Sequence, residues 1–182
     1  MVTRKERRDR QQITLQIKKR YERQRVRNLV NARPGKLQFI IVLDNLKPTF
    51  NIGKIFRSAD AMGAREIHLV GNHFFDPKPA KGSFKWVPVV YHDTFEQCYR
   101  QLDEQGYSLF TMEPVGGQPL HQSELPEKSA FVLGHEDNGI SFDKNDYPGI
   151  GSLFISQAGR VESLNVSVAA SIVMYEYYRQ NA

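Results

Sequence analysis

The sequence predicts an α/β fold built on a parallel sheet, and three features support this prediction. The run LQFIIVLDN, residues 37–45, is almost continuously apolar, which is typical of a strand buried on both faces of a parallel sheet. A helical stretch at about residues 51–62 and a second apolar strand, Glu66–Val70, follow it. This order is a βαβ unit, whose two strands lie parallel in one sheet. A further buried strand is predicted at Ser129–Leu133.

The remaining elements alternate in the same way. Strands are predicted at residues 86–91, 107–112 and 153–155, a polar loop at residues 113–118, and helices at residues 93–102 and after a loop at residues 156–165. Asp93 or Thr94 caps the first of these helices, whose inward face includes Cys98, so this cysteine is interpreted as a core residue. Ser163 or Asn165 caps the last helix, and both alternatives stay open.

Length and composition indicate an ordinary intracellular protein. The chain has 182 residues, enough for one domain with a real core, and 40% of them are hydrophobic. Its single cysteine excludes an internal disulfide and favours the cytoplasm. Since no apolar run approaches the roughly 20 residues that span a bilayer, no membrane segment is predicted. The N-terminus also lacks the apolar core of a secretory signal.

Positive charge is concentrated at the N-terminus. Residues 1–36 carry 13 lysines and arginines against three acids, a net charge of +10, whereas the rest of the chain carries −5. Residues 3–30 lack proline and glycine and predict a helix, on which Ile13, Ile17 and Tyr21 form a narrow stripe that could dock on the body. We therefore expect a basic helical extension that contacts RNA, residues 1–34, before a domain at residues 35–182.

Three strings, taken in order, resemble the signature motifs of a known enzyme family. The first has the spacing Asn51, Gly53, Arg57, Ala59 and Gly63; the second is GHEDNGIS from residue 134; the third is ESLNVSVAASIVMYEYYRQ, residues 162–180. Together they resemble the SpoU (TrmH) family of the SPOUT superfamily, which are RNA ribose 2'-O-methyltransferases. The resemblance covers roughly residues 37–180.

This resemblance implies the SPOUT fold, a mostly parallel sheet with helices on both faces and a deep C-terminal trefoil knot, which is an exception to the usual absence of knots. It also implies S-adenosylmethionine as cofactor, tRNA or rRNA as substrate, and a homodimer without a metal. The sequence supports the dimer independently, because the last helix is apolar on nearly every side from Val166 to Tyr178 and must be buried.

Site residues are carried over from the same motifs. Those at the catalytic positions are Arg57, Glu136, Ser163, Asn165 and, in the first motif, Asn51; those expected to bind the cofactor are Met112, Gly134, Ile155 and Leu164. A guanidinium with a pKa above about 12 is a poor base, so Arg57 is better suited to stabilise an alkoxide or to bind a phosphate. Ser156 and Gln157 stand where the family usually has proline and methionine, so this loop is more flexible than usual.

Other enzyme classes lack their characteristic spacings. No P-loop, GxSxG or HExxH string occurs, and the only GxG, at residue 149, precedes a strand instead of following one. The five histidines show no metal-ligand spacing, so no metal site is predicted. Two alternatives remain: a knotted RNA-binding protein without catalysis, and an unrelated nucleotide-binding α/β enzyme.

Overall fold

A single parallel sheet organises the protein. The computed structural model describes residues 4–47 and 50–182, with side chains from residue 11 onward. Within these ranges the strands are β1 (Ile40–Asp44), β2 (Glu66–Val70), β3 (Val89–His92), β4 (Ser108–Glu113), β5 (Gln118–Pro119), β6 (Ser129–Leu133) and β7 (Gly151–Phe154). They lie in the order β3-β2-β1-β6-β4-β7-β5, and every neighbouring pair is parallel. The predicted parallel sheet is confirmed.

The centre of the sheet is formed by β1 and β6, whose residues are all buried. Their sequences, IIVLD and SAFVL, are almost wholly apolar, so helices can cover both faces of each strand. After β1 the chain adds β2 and β3 on one side and then crosses to the other side to form β4. Open α/β sheets bind ligands at such a reversal, outside the carboxyl ends of the strands.

Four α-helices in the described ranges cover both faces of the sheet, as expected: α1 (Arg4–Asn31), α2 (Phe50–Ala61), α3 (Phe95–Glu104) and α4 (Val166–Asn181). On one face, Ile41 and Leu43 of β1 share a core with α2 and α4. On the other face, Ile40 and Val42 pack with α3, whose Cys98 is fully buried, as predicted. Because alternate side chains of a strand point to opposite faces, one apolar strand serves both cores.

The strand bounds differ from the sequence prediction by one to three residues at β1, β3, β4 and β7, and β5 is a strand that the prediction did not include. β3 begins at Val89 instead of Trp86, because Ser83–Lys85 form a 3-10 turn and Pro88 has no N–H for a strand ladder. The sequence predicts a loop where β5 forms, because residues 113–118 are polar and contain two glycines. Gly117 allows it to form: its φ is +78°, and a Cβ there would lie 2.3 Å from the carbonyl oxygen of Ser152 on β7.

The basic helix α1 is held against the body by its C-terminal half. Tyr21 is buried between Phe74, Phe75 and Phe84. Two helical turns further on, the Asn28 side chain donates hydrogen bonds to the carbonyl oxygens of Phe84 (2.6 Å) and Val87 (2.7 Å). Ile13 is 56% exposed, so the predicted apolar stripe does not dock along its whole length. No helix in the described part of the chain is long and apolar enough to cross a membrane.

Candidate active site

A cavity of about 640 Å³ opens at the carboxyl ends of β4, β6 and β7. Its walls combine apolar side chains and glycine backbone with polar and charged side chains, and it lies where open α/β sheets bind their ligands. Seven of the nine predicted site residues line it, namely Met112, Gly134, Glu136, Ile155, Ser163, Leu164 and Asn165. The other two, Asn51 and Arg57, lie on α2.

The loop after β6 forms one wall of this cavity. His135 and Gly139 exchange two backbone hydrogen bonds of 2.8 Å, and Nδ1 of His135 accepts hydrogen bonds from the backbone N–H groups of Asp137 and Asn138. Gly134 is required at the start of the loop, because a Cβ there would lie 2.4 Å from the carbonyl carbon of Gly139. The closed loop turns the side chain of Glu136 outward, where it is exposed beside the cavity.

One residue from each of the three motifs joins a chain of hydrogen bonds at the edge of the cavity. The amide nitrogen of Asn165 donates to Oδ1 of Asn51 at 3.3 Å. Asn51 in turn donates from Nδ2 to Oε1 of Glu136 at 2.9 Å. The second carboxylate oxygen of Glu136 faces the backbone N–H of Lys47 at 3.5 Å. Asn51 therefore holds the Glu136 carboxylate in one orientation.

Asn165, rather than Ser163, caps α4. Its Oδ1 accepts hydrogen bonds from the backbone N–H of Ser167 at 3.0 Å and from the Ser167 hydroxyl at 2.6 Å. These contacts satisfy donors that the first turn of a helix cannot pair internally. A single asparagine thus fixes the start of the helix with its oxygen and the Asn51–Glu136 pair with its nitrogen. Ser163 lies two residues earlier, exposed on the cavity wall.

Arg57 lies apart from this group. It is exposed on α2, it does not line the cavity, and its side chain makes no hydrogen bond or ion pair with a residue of the described ranges. It follows Asn51 by six residues, which places it about 9 Å further along the helix axis and about 120° around it. The structure therefore joins Asn51, but not Arg57, to Glu136.

Charged pairs that sequence reasoning missed brace the walls. Lys144 lies 2.9 Å from the carboxylate of Glu113, and both line the cavity. Burial works to raise the pKa of Glu113, but hydrogen bonds from Lys144 and Thr111 outweigh it, so this pKa is lowered. Lys47 forms an ion pair with Asp137, whose pKa is lowered mainly by that hydrogen bond. This second pair ties the loop after β1 to the loop after β6.

The motifs and the site agree with one protein family. The model of the SpoU rRNA Methylase family matches residues 38–175, a range that contains the whole sheet and the cavity. The chain belongs to this family.

Individual relatives of this SpoU chain act on different RNAs. The chain is 29% identical over 162 residues to a tRNA (guanosine(18)-2'-O)-methyltransferase of Thermus thermophilus, and the match covers 87% of the chain and 82% of the relative. The A. aeolicus TrmH/SpoU tRNA modifying enzyme has a TM-score of 0.72 at 25% identity and covers 90% and 83% of the two chains. An AdoMet-bound rRNA methyltransferase from Sinorhizobium meliloti has a TM-score of 0.69 at 25% identity and covers 81% and 58%.

The SpoU motifs account for most of the cavity but not for the residues that brace it. Glu113 directly follows the predicted strand at residues 107–112 and ends the observed β4, and ligand sites cluster at such ends, so its place gave a usable signal. Lys144 and Lys47 gave none, because each pairs with a residue distant in sequence. His135 belongs to the second motif, but only the folded loop shows that its ring accepts backbone hydrogen bonds.

Proposed function

We propose that this chain transfers a methyl group from S-adenosylmethionine to a ribose 2'-hydroxyl of tRNA or rRNA. Its SpoU family membership supports this, as do relatives that are named for 2'-O-methylation of tRNA or that hold AdoMet. The observation that carries the proposal is the hydrogen-bonded chain of Asn165, Asn51 and Glu136, which brings the three motifs to one edge of the cavity.

The lining of the cavity fits S-adenosylmethionine, which combines a flat purine with a ribose and a charged amino acid end. Leu133 and Ile140 offer apolar contacts for the purine, and the backbone at Gly134 offers polar groups without a side chain in the way. Within this proposal, contacts to the cofactor come from Met112, Gly134, Ile155 and Leu164. When bound, the cofactor supplies a methyl group on a sulfonium, which is a good leaving group.

The protein then has to orient the ribose hydroxyl and help it lose its proton as the new O–C bond forms. We assign the hydroxyl to Glu136. Its Oε1 already accepts a hydrogen bond from Asn51, whereas among residues 4–47 and 50–182 its Oε2 has only the long 3.5 Å contact from the backbone N–H of Lys47, which leaves a lone pair for a substrate donor. Asn51 and Asn165 position this carboxylate, and Ser163 offers a hydroxyl on the same wall.

Arg57 is assigned an electrostatic role, to stabilise the alkoxide or to hold an adjacent RNA phosphate. Its exposed position without a protein partner in the described ranges suits a group that waits for a phosphate. Arg57→Ala is expected to lose most activity under either role. Arg57→Lys keeps the charge but loses the planar fork, so retained activity in this variant would exclude bidentate binding.

RNA contact beyond the site is assigned to residues 1–34, preceding the methyltransferase domain at residues 35–182. In the docked half of α1, Lys18, Lys19 and Arg23 are exposed, while Tyr21 and Asn28 face the body. A cationic surface of this kind is typical of proteins that bind the phosphates of nucleic acids.

We also propose that the chain is a homodimer. On α4, Val168, Ile172 and Tyr175 are 46%, 36% and 57% exposed and recur at the spacing of one helical face. The opposite side of α4 is already buried against the sheet and α2. An apolar stripe on an otherwise packed helix favours burial against a second copy, as in the dimers of the family.

The C-terminal knot remains part of the same proposal. β4 and β5 are consecutive in the sequence, yet β7, which comes later in the sequence, lies between them in the sheet. The connection at residues 114–117 must therefore cross an end of β7. This arrangement supports the proposed knot, in which the segment from β7 to α4 is threaded.

The test is methyl transfer from labelled S-adenosylmethionine to total tRNA and, separately, to rRNA. We expect one pool to be labelled by the wild-type protein and neither by Glu136→Ala or Arg57→Ala. Cofactor binding is measured in parallel by calorimetry. If the cofactor binds and both RNA pools stay unlabelled, the substrate assignment is wrong; if it does not bind, the knotted RNA-binding alternative is favoured.

A further inference from the structure

Two histidines and the only cysteine meet in the core between α3 and the edge of the sheet that is formed by β2 and β3. His68 lies on β2, His92 ends β3, and Cys98 lies on α3. Nδ1 of His68 is 3.0 Å from Nε2 of His92 and 3.5 Å from Sγ of Cys98. All three of these atoms lie within 4.8 Å of one another. The cluster is separate from the candidate active site, none of whose lining residues belongs to it.

The orientation of the His68 ring is fixed from outside the cluster. Its Nε2 lies 3.0 Å from Oε1 of Glu66, and a carboxylate oxygen can only accept a hydrogen bond. Nε2 of His68 therefore carries the proton, and the lone pair of Nδ1 points at His92 and Cys98. A carboxylate that holds the far nitrogen of a histidine is the usual support of a metal-binding imidazole.

The two separations measured from Nδ1 of His68 and the chemistry of the three atoms are close to what zinc needs. With Zn–N bonds of about 2.0–2.1 Å and a Zn–S bond of about 2.3 Å, tetrahedral geometry separates two nitrogens by about 3.3 Å and nitrogen from sulfur by about 3.6 Å. The observed separations of 3.0 Å and 3.5 Å require an opening of a few tenths of an ångström. Imidazole and thiolate are also the ligands that zinc prefers.

The surroundings also balance the charge. His68 and Cys98 are fully buried and His92 is 5% exposed, so an ion placed there needs nearby negative charge. On binding, the Cys98 thiol loses its proton to solvent and becomes a thiolate, and the proton of His92 is held on the ring nitrogen that faces away from the ion. The thiolate and the Glu66 carboxylate together offset the two positive charges of zinc.

We propose that His68, His92 and Cys98 bind one divalent zinc-class cation, which joins α3 to β2 and β3, with water as the fourth ligand. The sequence predicted no metal site, because residues 68, 92 and 98 have no metal-ligand spacing along the chain. Their meeting depends on the parallel pairing of β2 with β3, which sets Val70 opposite His92, and on α3 packing over both strands.

The test uses the untagged full-length protein. We expect purified wild type to contain about one zinc per chain, because one set of three protein ligands and a water holds one ion. Zinc added to metal-free protein should raise Tm by about 5–15 °C, the shift that ligand excess gives for a chain of this size. Cobalt(II) should produce a thiolate-to-metal charge-transfer absorption, which directly reports the Cys98 bond.

Three variants locate the ion. Cys98→Ser and His92→Gln should lose the zinc and the cobalt absorption, whereas His73→Ala should keep both, because His73 is exposed and outside the cluster. Wild-type protein that contains no zinc and shows no change in Tm with added zinc would overturn the proposal and leave a neutral hydrogen-bonded cluster. Zinc retained equally by Cys98→Ser and His92→Gln would also overturn it. These measurements do not depend on methyl transfer.

Discussion

Asn165 performs two tasks with two different atoms, and a pair of substitutions separates them. Asn165→Ala removes both the oxygen that caps α4 and the nitrogen that holds Asn51. Asn165→Asp keeps an oxygen acceptor for the Ser167 donors but removes the nitrogen. It also places a second carboxylate next to the Asn51 amide, which has only one NH₂ group to share with Glu136.

The expected magnitudes differ between the two variants. Loss of an N-cap costs about 1 kcal/mol, so Asn165→Ala should lower Tm by about 2–4 °C in a chain of this size. Asn165→Asp should melt at or slightly above the wild-type temperature, because a negative charge at a helix N-terminus is favourable. Both should lose roughly tenfold in kcat/KM, which corresponds to about 1.4 kcal/mol for one exposed hydrogen bond in the chain that orients a carboxylate.

Thermal melting and methyl transfer at saturating S-adenosylmethionine measure the two effects on the same preparations. The result that supports the account is a stable but slow Asn165→Asp protein beside an unstable and slow Asn165→Ala protein. Wild-type kcat/KM in Asn165→Asp would refute the reasoning, since the hydrogen bond to Asn51 would then have no part in orienting Glu136.

Three further predictions concern the cavity, the arm and the dimer. Gly134→Ala should abolish measurable S-adenosylmethionine binding in calorimetry, because its Cβ would lie 2.4 Å from the Gly139 backbone. Gly159→Ala is the matched control and should bind the cofactor normally, because no atom of the described residues beyond its chain neighbours lies within 4 Å of the added carbon. The triple variant Lys18→Gln, Lys19→Gln and Arg23→Gln neutralises three exposed charges of α1. It should weaken RNA binding and reduce the slope of log K against log salt by about 2–3. An unchanged slope would show that α1 does not contact the RNA. Ile172→Lys should shift the protein from dimer to monomer in analytical ultracentrifugation, and a monomeric wild type would contradict the proposed interface.

Much of the fold follows from local patterns. β2 and β6 have the predicted bounds, Glu66–Val70 and Ser129–Leu133, because each is a short, mainly apolar segment of the length that is typical of a buried strand. β5 could not be predicted, because it consists of a polar residue, Gln118, and a proline, Pro119. Only the pairing with β7 makes these two residues a strand. Docking of α1 was only partly foreseen: Tyr21 is buried as the pattern suggested, whereas Asn28 is a polar anchor that hydrophobic periodicity cannot reveal.

For the site, motif resemblance named residues but could not say which of them meet. Seven predicted residues share one cavity, and Asn51 reaches it through hydrogen bonds. The supporting pair Glu113–Lys144 and the cluster of His68, His92 and Cys98 could not be anticipated. In both, the partners come from different strands, loops or helices, so only the order of strands in the sheet brings them together.

The measurement that tests the central claim most directly is the chemical position of the transferred methyl group. After reaction with labelled S-adenosylmethionine, the RNA is hydrolysed in alkali, which cleaves each linkage through attack by a free 2'-hydroxyl. The account predicts that the label stays in an alkali-resistant dinucleotide, because a methylated 2'-oxygen cannot attack the neighbouring phosphate. Label recovered only in single nucleotides would show methylation of a base and would contradict the assignment of the ribose hydroxyl to this site.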